Sequence, residues 1–94
     1  MRRIYKYDLP EMGTGSIRQM PKGARILSLH TQNGRPKIWA IVDPETELVD
    51  REIVTVGTGF VLDEMFERKN AKFVGTFLVE NEMLVFHVFD FGEV

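Results

Sequence analysis

Apolar and polar residues alternate along Arg25–Gln32 and again along Arg35–Val42, and Asn33-Gly34 separates the two runs. That dipeptide suits a two-residue type I′ turn, whose central positions both need positive φ. The turn predicts a hairpin with Leu29 opposite Ile38, Ser28 opposite Trp39, Leu27 opposite Ala40 and Ile26 opposite Ile41. One face then carries Leu27, Leu29, Ile38 and Ala40, and is plain core. The other mixes Ile26, Ser28, His30, Lys37, Trp39 and Ile41, so it is either a binding surface or a half-covered sheet face.

The C-terminal half repeats the device. Lys72–Glu80 and Met83–Phe91 predict two strands joined at Asn81-Glu82, with Val79 opposite Leu84, Phe77 opposite Phe86, Thr76 opposite His87 and Gly75 opposite Val88. One face holds Phe73, Phe77, Val79, Leu84, Phe86 and Val88. The other holds Val74, Leu78, Val85 and Phe89. A strand that is apolar on both faces is buried on both. A helix, a second sheet layer or another subunit must therefore cover one of them, and a two-fold homo-oligomer is the expected assembly.

Shorter signals fill the rest. Ile4–Leu9 alternates as an edge strand that ends at Pro10. Glu11–Gly15 reads as a loop, and Ser16–Met20 as an extended segment leading to a turn at Lys22-Gly23. Asp43-Pro44 opens a further turn, continued by the acidic Glu45–Glu47. Arg51–Val56 alternates as another strand. Asp63–Arg68 predicts a helical turn capped by Asp63, with Met65 and Phe66 facing inward. The sum is an all-β fold, a small barrel or sandwich of five to seven mainly antiparallel strands with at most one short helix, in a single domain over residues 1–94.

Composition narrows the function classes. An apolar share of 44% and a charged share of 28% in 94 residues describe a small globular domain. The absence of cysteine removes disulfides and thiolate metal ligands. The two histidines lack metal-ligand spacing, so no metal or cofactor is expected. There is no apolar signal region behind Arg2-Arg3 and no run of about 18 apolar residues, which points away from membranes and to the cytoplasm. A net charge of −2 with interspersed signs argues against duplex nucleic acid as a partner.

Three constellations carry chemistry. Gly57-Thr58-Gly59 follows a strand, where its amides could cradle an anion or simply form a bulge or tight corner. Trp39, the single indole, is either sheet packing or a stacking platform for a base or sugar, with Arg25 and Lys37 near enough in the hairpin to hold phosphate. His30 lies beside the hairpin tip and is a candidate ligand contact. His87 sits between Phe86 and Val88, where a hydrogen bond to Thr76 explains it without catalysis. Ser28 and His30 share a strand face at about 6–7 Å, beyond direct hydrogen bonding.

The run Met20-Pro21-Lys22-Gly23-Ala24, Asn33-Gly34, Trp39–Pro44, Val56–Gly59, Gly75–Phe77 and Leu84–Phe89 resembles a family of small proteins encoded in phage and prophage genomes. The resemblance implies a compact domain acting in the host cytoplasm, and brings no catalytic residues. It also implies a histidine after Gly-Thr-Gly, where this chain has Phe60. The expected function is therefore binding that opposes a host function, including antiviral defence, with a nucleotide-like small molecule as preferred ligand and Trp39, Arg25, Lys37, His30, Gly57, Thr58 and Gly59 as candidate contacts. The alternatives are a protein–protein inhibitor that uses a sheet face or edge to engage a host protein, and a small hydrolase built on His30 or His87.

Overall fold

The computed structural model describes residues 1–9, 13–62, 64–68, 70–79 and 83–94. Seven strands lie among them: β1 (Arg3–Asp8), β2 (Gly13–Pro21), β3 (Arg25–Gln32), β4 (Arg35–Val42), β5 (Leu48–Gly57), β6 (Lys72–Val79) and β7 (Leu84–Glu93). One helical turn, α1 (Met65–Arg68), stands between β5 and β6. The strands form two antiparallel sheets, of order β1-β4-β3 and β2-β5-β7-β6. The fold is the predicted all-β class, in its sandwich form.

The core lies between the sheets. Ile38, Ala40 and Val42 of β4 point into it from one side, and Ile53, Phe77, Phe86 and Val88 from the other. Met20, Ile38, Val42, Ile53 and Val88 are the largest side chains that are fully enclosed. Each contributes roughly 1.5–3 kcal/mol relative to exposure.

The Asn33-Gly34 turn forms as predicted, with φ of 53° and 76°. From Ser28 to Gln32 the β3–β4 register is also the predicted one. Beyond Ser28 it changes: Ile26, not Leu27, pairs with Ala40, because Leu27 is an extra residue that forms a β-bulge. A one-residue slip exchanges the two faces. Ile26 therefore packs on the core, while Leu27 is 44% exposed.

The β6–β7 hairpin behaves alike. All four predicted pairs, from Gly75–Val88 to Val79–Leu84, are present. Val74 is then an extra residue, so it turns to the core and Phe73 turns outward, 60% exposed. The outer face of this hairpin is covered in part by α1, whose Phe66 meets Phe89 and Phe91 edge-on at 5.2 and 5.0 Å. Thus both a second sheet and a helical turn supply the cover that the two-sided apolar pattern required. Asp63, the expected cap of α1, and the Asn81-Glu82 turn lie outside the described residues.

Gly13–Gly15, expected as loop, belong instead to β2 and pair with Ile53–Thr55. Glycine and threonine have no pattern of their own there. The neighbouring β5 offers a free edge, and pairing overrides a weak local preference. β2 has its own irregularity between Ile17 and Met20, where Gln19 takes φ of 58° and its amide donates to Asp50 Oδ1 at 3.2 Å.

Candidate functional site

β3 and β6 are edge strands of opposite sheets, and they meet along one seam of the sandwich. Gly75 makes the approach close: a Cβ there would stand 3.1–3.3 Å from the Leu29 side chain. Next to that contact Leu27 and Val74 are the bulged residues of the two strands, and a third extra residue, Phe91, bulges from β7 opposite the Glu52–Ile53 step. A cleft of about 330 Å³ opens there, lined by Arg25, Leu27, Arg51, Lys72, Phe73 and Asp90 among others. A smaller recess of about 90 Å³, bordered by Phe91 and Gly92, shares Arg51, Lys72 and Asp90 with it.

Its floor is an ion pair. Arg51 Nε and Nη2 donate to the two Asp90 oxygens at 2.9 and 2.7 Å, and Nη1 donates to the Ala24 carbonyl at 2.7 Å. The side chains are only 13% and 8% exposed. The guanidinium thus ties β5 and β7 to the residue that leads into β3 at the seam. Burial alone would push the Asp90 carboxyl up. Hydrogen bonds from Arg51 and the Gly92 amide, with the charges of Arg51 and Lys72, outweigh burial and hold it below the ordinary carboxylate range. The bond to Asp90 likewise raises the Arg51 guanidinium against burial.

Above the floor the charge is positive. Arg25 makes no side-chain hydrogen bond or ion pair among the described residues, and Lys72 acts on Asp90 only at longer range. Phe73 stands beside them as an exposed aromatic wall. Of the residues expected at a site, Arg25 is the one the seam uses. Arg51, Lys72, Phe73 and Asp90 were not singled out from sequence. The signal available was Asp90 within Val88-Phe89-Asp90-Phe91, since a carboxylate in so apolar a strand requires a partner.

Trp39, His30 and Lys37 come together elsewhere, on the outer face of the three-stranded sheet. Trp39 is half-buried, stands across from Lys6 and Ser28, and meets His30 edge-on at 6.0 Å. Lys37 is ion-paired with Asp8, whose carboxyl that hydrogen bond and charge hold low, and Lys6 donates to Gln32 at 2.8 Å. Both cations next to the indole are therefore engaged, and none of the described cavities is lined by Trp39.

Gly57-Thr58-Gly59 lies apart from both groups, with Gly57 ending β5 in the four-stranded sheet and Thr58-Gly59 forming the turn that follows. The Thr58 amide donates to the Val85 carbonyl and the Phe60 amide to that of Gly57, each at 3.1 Å, and Gly59 takes φ of 88°. A Cβ on Gly57 would stand 2.7 Å from the Phe60 ring, so the glycine lets that ring lie over the strand end. Next to the turn, His87 is held by two hydroxyls, Thr58 Oγ1 at 2.7 Å from Nε2 and Thr76 Oγ1 at 3.1 Å from Nδ1. Both ring nitrogens are thereby matched on an open sheet face. An apolar groove of about 550 Å³, bordered by Thr58, Phe60, Met83 and Leu84, adjoins this corner.

The chain belongs to the family described as Domain of unknown function (DUF7352), whose profile matches residues 1–93. No curated protein and no solved structure matches it. Among the described residues, no group of histidine or acidic side chains is placed to hold a metal ion, and no helix is long and apolar enough to cross a membrane.

Proposed function

We propose that this chain is a small binding protein that sequesters an anionic, nucleotide-like molecule in the seam cleft. The observation that carries the reading is the meeting of two bulges, at Leu27 and Val74, on one cleft, with Arg25 and Lys72 above a buried, self-neutralised Arg51–Asp90 pair. Bulges re-aim side chains at binding sites, and they cost regular pairing. A cleft of about 330 Å³ is within the range that takes a small ligand. Arg25 offers a planar fork to phosphate, and Phe73 a face on which a base stacks without regard to its identity. The resemblance to phage-encoded proteins supports the wider proposal that such sequestration withdraws a signal molecule from its host.

The test is native mass spectrometry of protein purified from cells, followed by calorimetry with nucleotides. Arg25→Ala should cost about 1.5–3 kcal/mol of binding, the amount expected of a charge-assisted bond. Trp39→Ala should leave affinity unchanged. Binding that survives Arg25→Ala but is lost with Trp39→Ala would move the ligand to the outer sheet face.

One observation favours a second reading, inhibition of a partner protein. Phe60, Met83 and Leu84 are all exposed and border the apolar groove beside the Thr58-Gly59 turn. A contiguous apolar patch of that kind marks interaction surfaces. Under this reading Met83→Glu abolishes partner capture and Arg25→Ala does not.

A further inference from the structure

Arg25 borders more than the seam cleft. The same side chain lines a second cavity, of about 500 Å³, on the far side of β3's first residue. That cavity is bordered by Arg2, Lys22, Gly23, Asp43 and Thr46. Cations thus flank Arg25 in both directions, with Lys72 and Arg51 on one side and Arg2 and Lys22 on the other. Resting on the reading above, we infer that the ligand is one with two separated phosphates, of the dinucleotide class, bridged by Arg25.

Charge and geometry support the assignment together. A mononucleotide fills one cavity and leaves the cations of the other facing water. A ligand with two phosphates uses both, and Arg25, which has no partner among the described residues, stands between them. On the rim of the second cavity one amide already holds a carboxylate, so a phosphate there is left to Arg2, Lys22 and Arg25. The Gly23 amide donates to a Glu93 carboxylate oxygen at 2.6 Å, and that carboxylate acts on Arg51 as well. The acidic residues there are already engaged: Asp43 Oδ1 accepts from the Glu45 amide at 3.0 Å, and Glu47 pairs with Lys22 at 3.2 Å. The Lys22–Glu47 pair is exposed on both sides, so a phosphate competes for Lys22 against a weak partner.

The experiment compares AMP and GMP with the 5′-phosphorylated dinucleotides pApA and pGpG by calorimetry on the intact chain. The dinucleotides should bind about tenfold to a hundredfold tighter, the ratio expected of one further charge-assisted phosphate contact. In the Arg2→Ala/Lys22→Ala double variant this advantage should vanish while mononucleotide affinity stays. Both side chains are exposed, and an unchanged thermal melt checks that the variant folds. Arg25→Ala should weaken every probe. Mono- and dinucleotides within threefold of one another, with both still lost in Arg25→Ala, would overturn the two-phosphate inference and leave the seam site standing. No binding of any probe would overturn both.

Discussion

Gly34 at φ of 76° and Asn33 at 53° turn the first hairpin in two residues. Gly34→Val should cost about 1–2 kcal/mol, since a β-branched residue resists positive φ. A urea melt measures it. Arg51 and Asp90 present the opposite case, two residues held by one another. Arg51→Met leaves the Asp90 carboxylate buried and unpaired, and should cost about 3–5 kcal/mol, whereas Arg51→Met/Asp90→Leu should recover most of that loss. The pair also sets an acid limit. The folded Asp90 carboxyl titrates below its unfolded value of about 4, so between the two values the folded state binds fewer protons. Its stabilising effect is therefore present above that unfolded value and is lost as pH falls through the folded one. Asp90→Asn should flatten this part of the stability–pH curve as pH falls below the unfolded carboxyl value, as measured by denaturant melts at each pH.

At the level of elements, the bulges offer a way to test the proposed binding apart from stability. Leu27 is the residue of β3 without a cross-strand partner, and on either side of it Ile26–Ala40 and Ser28–Trp39 are in regular register. Deleting Leu27 should keep that register and change the melting temperature little, because Ile26 stays inward, yet it should close the cleft and remove ligand affinity. Calorimetry beside a thermal melt distinguishes the two effects. Gly75→Val acts on the same seam from β6, where the new side chain would press on Leu29. Overpacking of this kind should cost about 1–3 kcal/mol.

For the whole molecule, the two layers enclose one core, and the described residues present among their outer surfaces the Trp39 face, the seam and the apolar groove at Phe60. The α1 turn takes over part of the surface for which a second subunit was the expected cover, since Phe66 sits on Phe89 and Phe91. Leu78, Met83 and Leu84 stay exposed. The two-fold dimer is accordingly proposed through those residues. Sedimentation at micromolar concentration should give twice 10.9 kDa, and Met83→Glu should return the monomer.

The sequence by itself determined what depends on near neighbours. Asn33-Gly34 specified its turn, Asp43-Pro44 its own, and the alternation in Arg35–Val42 the inward pair Ile38 and Ala40. The pairing of Phe77 with Phe86 and Thr76 with His87 followed from placing one turn. Tertiary structure decided the bulges, because an extra residue has no local signature: Leu27 and Val74 look like any apolar member of an alternating run. The cleft follows from those bulges, and so do its residues. Arg25 and Lys72 are 47 positions apart in the chain, and only the meeting of two sheet edges brings them to one site.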